Sequence, residues 1–197
     1  MKGKIIILSA PSGTGKSTII TSLMQEPDLH LGFSISATSR KPRGAEVNGK
    51  DYFFLSEEEF QKKIDGGEFV EWEEVYAGTR YGTLQSEVER VTGSGSHLIM
   101  DVDVKGALNI KKRFGNDAVA IFVMPPDIAT LEHRLRSRGT DSAETIERRL
   151  AKAEFEMGFA PQFDTVVVND SLPRAVAEVA DKIRAFATCG IEAVCRR

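Results

Sequence analysis

The 197-residue sequence predicts an α/β fold in which helices cover both faces of a parallel sheet. Short apolar runs rich in β-branched residues alternate with helical patterns, as expected of parallel strands joined by helices. A glycine-rich turn follows the first of these runs directly and leads into a helix. Residues 34–90 differ, because short strand-like pieces there are broken by glycines. They predict a small mixed α/β insertion in the core.

The core elements alternate along the chain. Residues 5–8 (IIIL) form a continuous apolar run, which predicts a strand buried on both faces, and residues 17–24 predict the helix after it. Further strands are predicted at residues 97–104, 118–123 and 165–168, and further helices at residues 105–114, 127–138, 143–158 and 173–188. Within the insertion, strands are predicted at residues 34–39, 51–55 and 68–76, and a helix at residues 57–64.

These elements predict one domain with two appendages. The core takes residues 1–33, 91–126 and 150–197, and the insertion takes residues 34–90. Residues 127–149 carry arginine-rich helical patterns on either side of a turn at residues 139–142. This third piece is interpreted as a helical lid.

The composition is that of an ordinary globular enzyme, with 41% hydrophobic and 28% charged residues. A net charge of −3 argues against a general affinity for nucleic acid or an anionic membrane. We expect neither a signal peptide nor a membrane span, because no apolar run has the necessary length. Cys189 and Cys195 predict neither a zinc site nor a disulfide framework, which favours a cytoplasmic location.

A nucleoside triphosphate site is predicted immediately after the first strand. Gly13 and Gly15 allow successive backbone N–H groups to turn around a phosphate, and the following helix adds the positive end of its dipole. Lys16 can reach the outer phosphates, and the Ser17 hydroxyl can bind the accompanying Mg²⁺. The alternative is a Gly/Ser-rich turn that happens to precede a lysine. The predicted site consists of Ala10, Pro11, Ser12, Gly13, Thr14, Gly15, Lys16, Ser17 and Thr18.

The motif has one departure from the pattern G-x-x-x-x-G-K-S/T. Ala10 stands where the first glycine belongs, and it is small enough for the mismatch to be minor.

Two aspartates mark the end of the predicted strand at residues 97–104. In doubly wound sheets ligands gather beyond the carboxyl ends of the strands, so Asp101 is a candidate to bind Mg²⁺ or its waters. The spacing of Asp101 and Asp103 places both side chains on one side of a strand, facing the cleft. An acidic strand end that only caps the following helix is the alternative for Asp101.

Six segments in order resemble guanylate kinases over nearly the whole chain. They are SAPSGTGKST, SISATSRKPRGAEVNGKDYFF, EFVEWEEVYAGTRYGT, MDVDVKG, RLRSRGT with ERRL, and VVND. The resemblance implies a P-loop core and transfer of a phosphoryl group from ATP to GMP with Mg²⁺, giving ADP and GDP. ATP and GMP are then the partners, and the same chemistry extends to dGMP.

The resemblance also assigns the guanine site. Carboxylates suit the donor edge of guanine and hydroxyls suit its O6. By resemblance Glu71 and Asp103 supply the carboxylates, while Ser36 and Thr83 supply hydroxyls. Without it, the favoured interpretation of Glu71 is one more solvated acid in an acidic strand.

A second group of residues is assigned to the GMP phosphate. Arg40 and Arg43 can grip phosphate oxygens through planar guanidinium groups. The resemblance places Tyr52 and Tyr81 at the same phosphate, and Gly82 allows the backbone to approach the ligand. The alternative is a basic surface turn followed by an ordinary aromatic strand.

Arginines of the lid complete the predicted site. Phosphoryl transfer depends on positioning and on neutralising charge, so no general base is required. Arg134 and Arg138 share one helix face, and the resemblance adds Arg149. It also places Asn169 near the adenine of ATP, where a simple turn is the alternative. The predicted catalytic residues are therefore Lys16, Arg40, Arg134, Arg138 and Arg149.

Two other functions stay open. The first is a guanylate-kinase-like module that binds proteins and is catalytically silent, although such modules have usually lost phosphate-loop residues that this chain keeps. The second is a kinase for another monophosphate, or a P-loop NTPase with a non-nucleotide acceptor. Glu71 with Asp103 discriminates against it, because this pair suits guanine and suits neither pyrimidines nor sugars.

Overall fold

Two compact units make up the chain. The structure, a computed structural model, describes residues 2–76, 78–137 and 141–195. One unit takes Gly32–Leu98 together with the N-terminal residues up to Lys4, and the other takes Ile5–Leu31 and the chain from Ile99 onward.

Strands and helices follow in this order along the described residues. The strands are β1 (Ile5–Ser9), β2 (Leu31–Phe33), β3 (Ala37–Thr38), β4 (Phe53–Phe54), β5 (Phe69–Tyr76), β6 (Thr79–Leu84), β7 (His97–Asp101), β8 (Ala118–Met124) and β9 (Thr165–Val168). The helices are α1 (Lys16–Leu23), α2 (Glu57–Asp65), α3 (Gln85–Gly93), α4 (Val104–Phe114), α5 (Ile128–Ser137), α6 (Ala143–Met157), α7 (Leu172–Cys189) and α8 (Ile191–Cys195).

The larger sheet has the strand order β2-β7-β1-β8-β9. β1 pairs parallel with β8, and β8 pairs parallel with β9. Ile6 and Leu8 of β1 belong to one apolar cluster with α1 and α7, whereas Ile5 and Ile7 are buried on the opposite face. α4 lies against β1 and β8. The predicted parallel sheet with helices on both faces is therefore confirmed.

A smaller, mixed sheet has the strand order β4-β3-β6-β5. β6 is antiparallel to both β3 and β5, and β3 is parallel to β4. Its own core is formed by Ala37, Phe60, Phe69 and Leu84. α2 begins with a reciprocal capping box between Ser56 and Glu59, which satisfies two backbone N–H groups at the helix start.

α7 is amphipathic and covers the larger sheet. Ala175, Val179, Ile183 and Phe186 are buried at helical spacing. In the part of the chain that the structure describes, no helix is both long enough and apolar enough to cross a membrane.

The predicted strand at residues 97–104 was wrong at its carboxyl end. β7 ends at Asp101 and α4 begins at Val104. Asp103 is the N-cap residue of α4, and its Oδ1 accepts a hydrogen bond of 2.8 Å from the Gly106 backbone. The alternation of apolar and polar residues favours a longer strand, whereas the Asp103 cap stabilises the start of a helix at Val104. The helix forms.

Predictions for the insertion were incomplete. The strands expected at residues 34–39 and 51–55 shorten to the two-residue strands β3 and β4. β6 and α3 were not predicted, because residues 79–93 carry neither a long apolar run nor a strong cap.

Candidate functional site

Residues 10–15 form a loop between β1 and α1. Gly13 and Gly15 have φ angles of 92° and 99°, a left-handed conformation that residues with a Cβ rarely adopt. Gly15 is the N-cap residue of α1, so the first N–H groups of that helix point into the loop without helical partners. A loop of this type followed by a helix N-terminus binds phosphate groups.

A cavity of about 420 Å³ lies beside this loop. It is lined by residues 10–13 and 15–18, by residues 101–103, and by Lys152 and Glu156 of α6. The structure thus brings all the predicted triphosphate residues of the loop except the buried Thr14 together with Asp101 and Asp103.

The Lys16 ammonium lies at the carboxyl end of β7. Its Nζ is 2.5 Å from Asp101 Oδ1 and donates a hydrogen bond of 3.1 Å to the Val102 carbonyl. An ammonium group has three donors, so a further one is available to an anion in the cavity.

Asn169 holds the loop from behind. It follows β9, is 4% exposed, and its Nδ2 donates a hydrogen bond of 2.7 Å to the Thr14 carbonyl. Its own carbonyl accepts from Arg134 Nη2 at 2.9 Å. One buried residue therefore joins the phosphate loop to α5.

In the other unit, a cluster surrounds Arg40. The two terminal nitrogens of Arg40 donate to the two carboxylate oxygens of Glu46 at 2.6 and 2.7 Å, and its Nε donates to the Tyr81 hydroxyl at 3.1 Å. The guanidinium carbon lies 5.0 Å from the centre of the Tyr52 ring. The Arg43 backbone N–H donates to Glu46 at 2.7 Å. Three of the predicted phosphate ligands, Arg40, Tyr52 and Tyr81, therefore lie together.

Electrostatics within this cluster are strong. Two hydrogen bonds from Arg40, helped by the Arg43 backbone, lower the pKa of the Glu46 carboxyl to about 2. The same contact with Glu46 raises the pKa of Arg40 above its usual value. Both groups stay charged at neutral pH.

The β5–β6 pair carries the predicted base-binding residues. Glu71 and Thr83 are direct cross-strand partners, and the Thr83 hydroxyl donates to Glu71 Oε1 at 2.9 Å. Ser36 precedes β3, and its carbonyl accepts a hydrogen bond from Phe53 N. Asp103, the fourth predicted base ligand, belongs to the other unit.

Comparison with known proteins agrees with these motifs. A family model described as guanylate kinase matches residues 2–186. Guanylate kinases of Bacteroides thetaiotaomicron and Porphyromonas gingivalis are both 55% identical, over 94% and 93% of this chain and 91% and 97% of theirs. The chain belongs to the guanylate kinase family. A crystal structure of guanylate kinase from Anaplasma phagocytophilum is similar in fold, with a TM-score of 0.71 and 29% identity over 95% of this chain and 87% of that one.

The three arginines predicted for the lid of this guanylate kinase differ in what the structure shows of them. Arg134 on α5 contacts Asn169, as described, and Arg149 on α6 forms an ion pair of 2.9 Å with Asp141. Arg138 lies outside the described residues. α5 also packs on the phosphate loop, because a Cβ at Gly13 would lie 2.7 Å from Leu135 Cδ2.

Two residues of the predicted site have structural contacts that the sequence did not indicate. The helix cap that was the alternative for Asp101 is made by Asp103, whereas Asp101 contacts Lys16. Space beside Gly82 is filled by the neighbouring strand, since a Cβ there would lie 2.7 Å from the Glu71 carbonyl oxygen. The packing of the sheet therefore requires a glycine at this position, whether or not a ligand binds there.

Three residues near the site were missed. Glu46 follows Arg43 by three residues, so the charge pairing within SRKPRGAE was the available signal. Lys152 and Glu156 line the phosphate cavity and lie 3.6 Å apart. Burial raises the pKa of Glu156. Their spacing from Arg149, three and seven positions, places all three on one face of α6.

Proposed function

We propose that this chain transfers the γ-phosphoryl group of ATP to GMP, giving ADP and GDP. Membership of the guanylate kinase family over residues 2–186 supports this activity. The cavity lined by the glycine loop, Lys16 and Asp101 is the observation that carries it, because it presents donors and a cation to a triphosphate.

The donor site is the phosphate loop with the start of α1, residues 10–18. Backbone N–H groups of the loop and the helix N-terminus bind the phosphate oxygens, and the Lys16 ammonium adds charge at the outer phosphates. Asn169 completes this site on the side of α5.

Ser17 and Asp101 would hold Mg²⁺. A hydroxyl and a carboxylate are the hard oxygen donors that Mg²⁺ prefers, and both residues line the cavity. Among the described residues no group of three or more His, Cys, Asp or Glu is arranged to hold a metal, which fits an ion shared with substrate phosphates and waters. When bound, Mg²⁺ neutralises charge on the phosphates of ATP.

The acceptor site binds GMP through its base and its phosphate. Glu71 and Asp103 accept hydrogen bonds from guanine N1 and N2, while the Ser36 and Thr83 hydroxyls lie near O6. The phosphate residues are Arg40, Arg43, Tyr52, Tyr81 and Gly82. These contacts leave the ribose 2′-hydroxyl unassigned, so dGMP is an acceptor as well.

Transfer itself relies on position and charge. Five cations, Lys16, Arg40, Arg134, Arg138 and Arg149, neutralise the oxygens of the transferred group. Residues 127–149 act as the lid, residues 34–90 as the GMP-binding subdomain, and residues 1–33, 91–126 and 150–197 as the core. This division places phosphate-neutralising side chains on each piece. The substrates ATP and GMP also favour action in the cytoplasm.

A panel of monophosphates tests the proposal. ADP release is measured with ATP as donor and GMP, dGMP, AMP, UMP or dTMP as acceptor. GMP and dGMP are expected to be used, and AMP is expected to be rejected by at least about a hundredfold, because a carboxylate faces the lone pair of adenine N1. Turnover of AMP or a pyrimidine at the rate of GMP contradicts the guanine assignment. No turnover of any acceptor by folded protein contradicts the kinase assignment.

A further inference from the structure

Asn169 lies where four elements of one unit meet. Its backbone N–H donates to the Met124 carbonyl at the end of β8, and its backbone carbonyl accepts a hydrogen bond from Arg134 on α5. Its side chain reaches the loop between β1 and α1 and donates to the Thr14 carbonyl at 2.7 Å. With 4% of its surface exposed, this residue is almost fully enclosed by these partners.

The bond to Thr14 fixes the orientation of one peptide of the phosphate loop. In a trans peptide the C=O and the next N–H point in opposite directions. Because the Thr14 carbonyl points to Asn169, the Gly15 N–H is turned to the opposite side. Gly15 is also among the residues that line the phosphate cavity.

Gly15 in turn fixes the position of the Asn169 amide. A Cβ on Gly15 would lie 2.8 Å from Asn169 Nδ2, closer than side chains tolerate, and the φ angle of +99° is one that favours glycine. The amide and the loop backbone therefore fit against each other with no room for a side chain between them.

The other amide atom is also enclosed. Asn169 Oδ1 is buried and has no hydrogen-bond partner within the described residues, and the hydroxyl of Thr14 is likewise buried without a partner. A side chain that contacted the base of ATP would need its amide at an accessible surface. This amide instead faces the loop backbone.

We propose that Asn169 is a positioning residue for the phosphate loop and acts independently of the nucleotide base. It holds the Thr14–Gly15 peptide so that the loop N–H groups face the triphosphate, and its carbonyl holds Arg134 beside the same loop. This inference rests on the proposed donor site at residues 10–18. It differs from the adenine contact that the family resemblance implies for this residue.

The test compares ligands that share phosphates and differ in the base. Binding of ATP, CTP and inorganic tripolyphosphate, each with Mg²⁺, is measured by calorimetry for the wild type, Asn169→Ser and Asn169→Asp. Serine is too short to reach Thr14, and aspartate keeps the shape while it replaces the donor with an acceptor. We expect all three ligands to bind about tenfold or more weakly in both variants, with the ratio of ATP to CTP affinity unchanged.

Two results overturn the proposal. The first is weaker ATP binding with unchanged tripolyphosphate binding, which assigns Asn169 to the base. The second is unchanged binding of all three ligands. Thermal melting shows which variants are folded, and the isosteric aspartate keeps the test available if the serine variant unfolds. Asp170→Ala is the matched control, because Asp170 is the next residue and makes an exposed ion pair with Arg174.

A further variant separates this proposal from the donor-site assignment. Lys16→Ala is expected to weaken tripolyphosphate binding. Unchanged binding in that variant places the triphosphate elsewhere and removes the basis of both assignments. Weaker binding in Lys16→Ala with unchanged binding in folded Asn169 variants contradicts the role of Asn169 alone.

Discussion

Several of the cations assigned to a phosphate already have protein partners. Lys16 forms an ion pair with Asp101, Arg40 donates two hydrogen bonds to Glu46, and Arg134 donates one to the backbone carbonyl of Asn169. Long cationic side chains lose rotamer freedom when they bind a phosphate, and these partners hold them in place beforehand. A phosphate that binds at these side chains is therefore expected to share or replace a contact that has already ordered the cation.

Lys16→Ala is expected to abolish transfer and to leave the fold intact. The ammonium contacts Asp101 and the Val102 carbonyl at the cavity wall, and Lys16 is not one of the buried residues that form the core. Losing a preorganised charge at the phosphates lowers the rate by about two to three orders of magnitude. Steady-state kinetics with a melting curve measure both effects, with the exposed Lys105→Ala as the control. A folded variant with wild-type turnover excludes this loop as the donor site.

Glu71→Gln is expected to impair the use of GMP far more than the binding of ATP. The amide oxygen can keep the hydrogen bond from Thr83, but its NH₂ group faces the donors of guanine. One mispaired polar contact in a closed site costs about 2 kcal/mol or more. The measurement is kcat/KM for GMP beside the ATP affinity, with Glu74→Gln on the opposite face of β5 as the control. Unchanged kinetics assign Glu71 to a solvated acidic face.

The Arg40–Glu46 pair predicts a pH dependence of stability. The pKa of Glu46 falls from 4.5 to about 2 on folding, so its stabilising contribution is complete above pH 4.5 and is lost as the pH falls toward 2. Melting temperatures of the wild type and Glu46→Gln are compared between pH 5 and pH 2. The melting temperature of the wild type should exceed that of the variant most at pH 5, and this difference should shrink as the pH falls. A difference that stays constant over the range shows that Glu46 is not the titrating group.

Among the strands and helices, the sequence patterns predicted those whose positions depend on local sequence. β1 and β8 are almost completely buried in the parallel sheet, and β9 is a shorter, less buried run at its edge. The end of β7 was predicted too late, because the alternation in MDVDV continues past the cap that starts α4. β6 was missed because its glycine and polar residues are explained only by their partners on β5.

The sequence could not predict the parts of the candidate site that depend on contacts between distant segments. The sequence identified the phosphate loop by its glycines and its lysine, which are local features. Asn169 reaches Thr14 across 155 positions of the chain, and this requires the sheet order β1-β8-β9. Glu156 is also found at the cavity only because α6 lies beside the loop. Local spacing alone does not predict either contact.

Glu156→Gln is expected to raise stability at neutral pH. Burial on α6 raises the pKa of Glu156, so its contribution is most favourable below pH 4.5 and is lost as the pH rises through the raised pKa. The variant should melt at a higher temperature than the wild type at pH 7, and the difference should vanish below pH 4.5. The exposed Glu154→Gln on the same helix is the control. A lower melting temperature at pH 7 means that the ion pair with Lys152 outweighs the cost of burial.

For the whole molecule, the residues assigned to the two substrates belong to different units. The phosphate loop, Asp101 and the arginines of α5 and α6 lie in one unit, while Arg40 and Glu71 lie in the other. In-line transfer requires the reacting oxygen and phosphorus to approach within about 3–3.5 Å in a site that excludes water. GMP must also enter before that site closes, so we expect both an open and a closed form.

Closure is therefore expected to protect two segments beyond the phosphate loop. GMP should draw residues 34–90 toward the core, and ligands of the ATP site should order residues 134–138, whose first member already contacts Asn169. Glycines and prolines near both segments (Gly32, Gly93 or Gly95, Pro125-Pro126 and Gly158) supply hinges, whereas the core strands cannot bend without breaking ladder hydrogen bonds. Hydrogen exchange is measured with GMP, with an ATP analogue and with a bisubstrate analogue. Slower exchange in both segments with the bisubstrate analogue is the expected result. Protection confined to residues 10–18 means that the site is preformed and that transfer proceeds without closure.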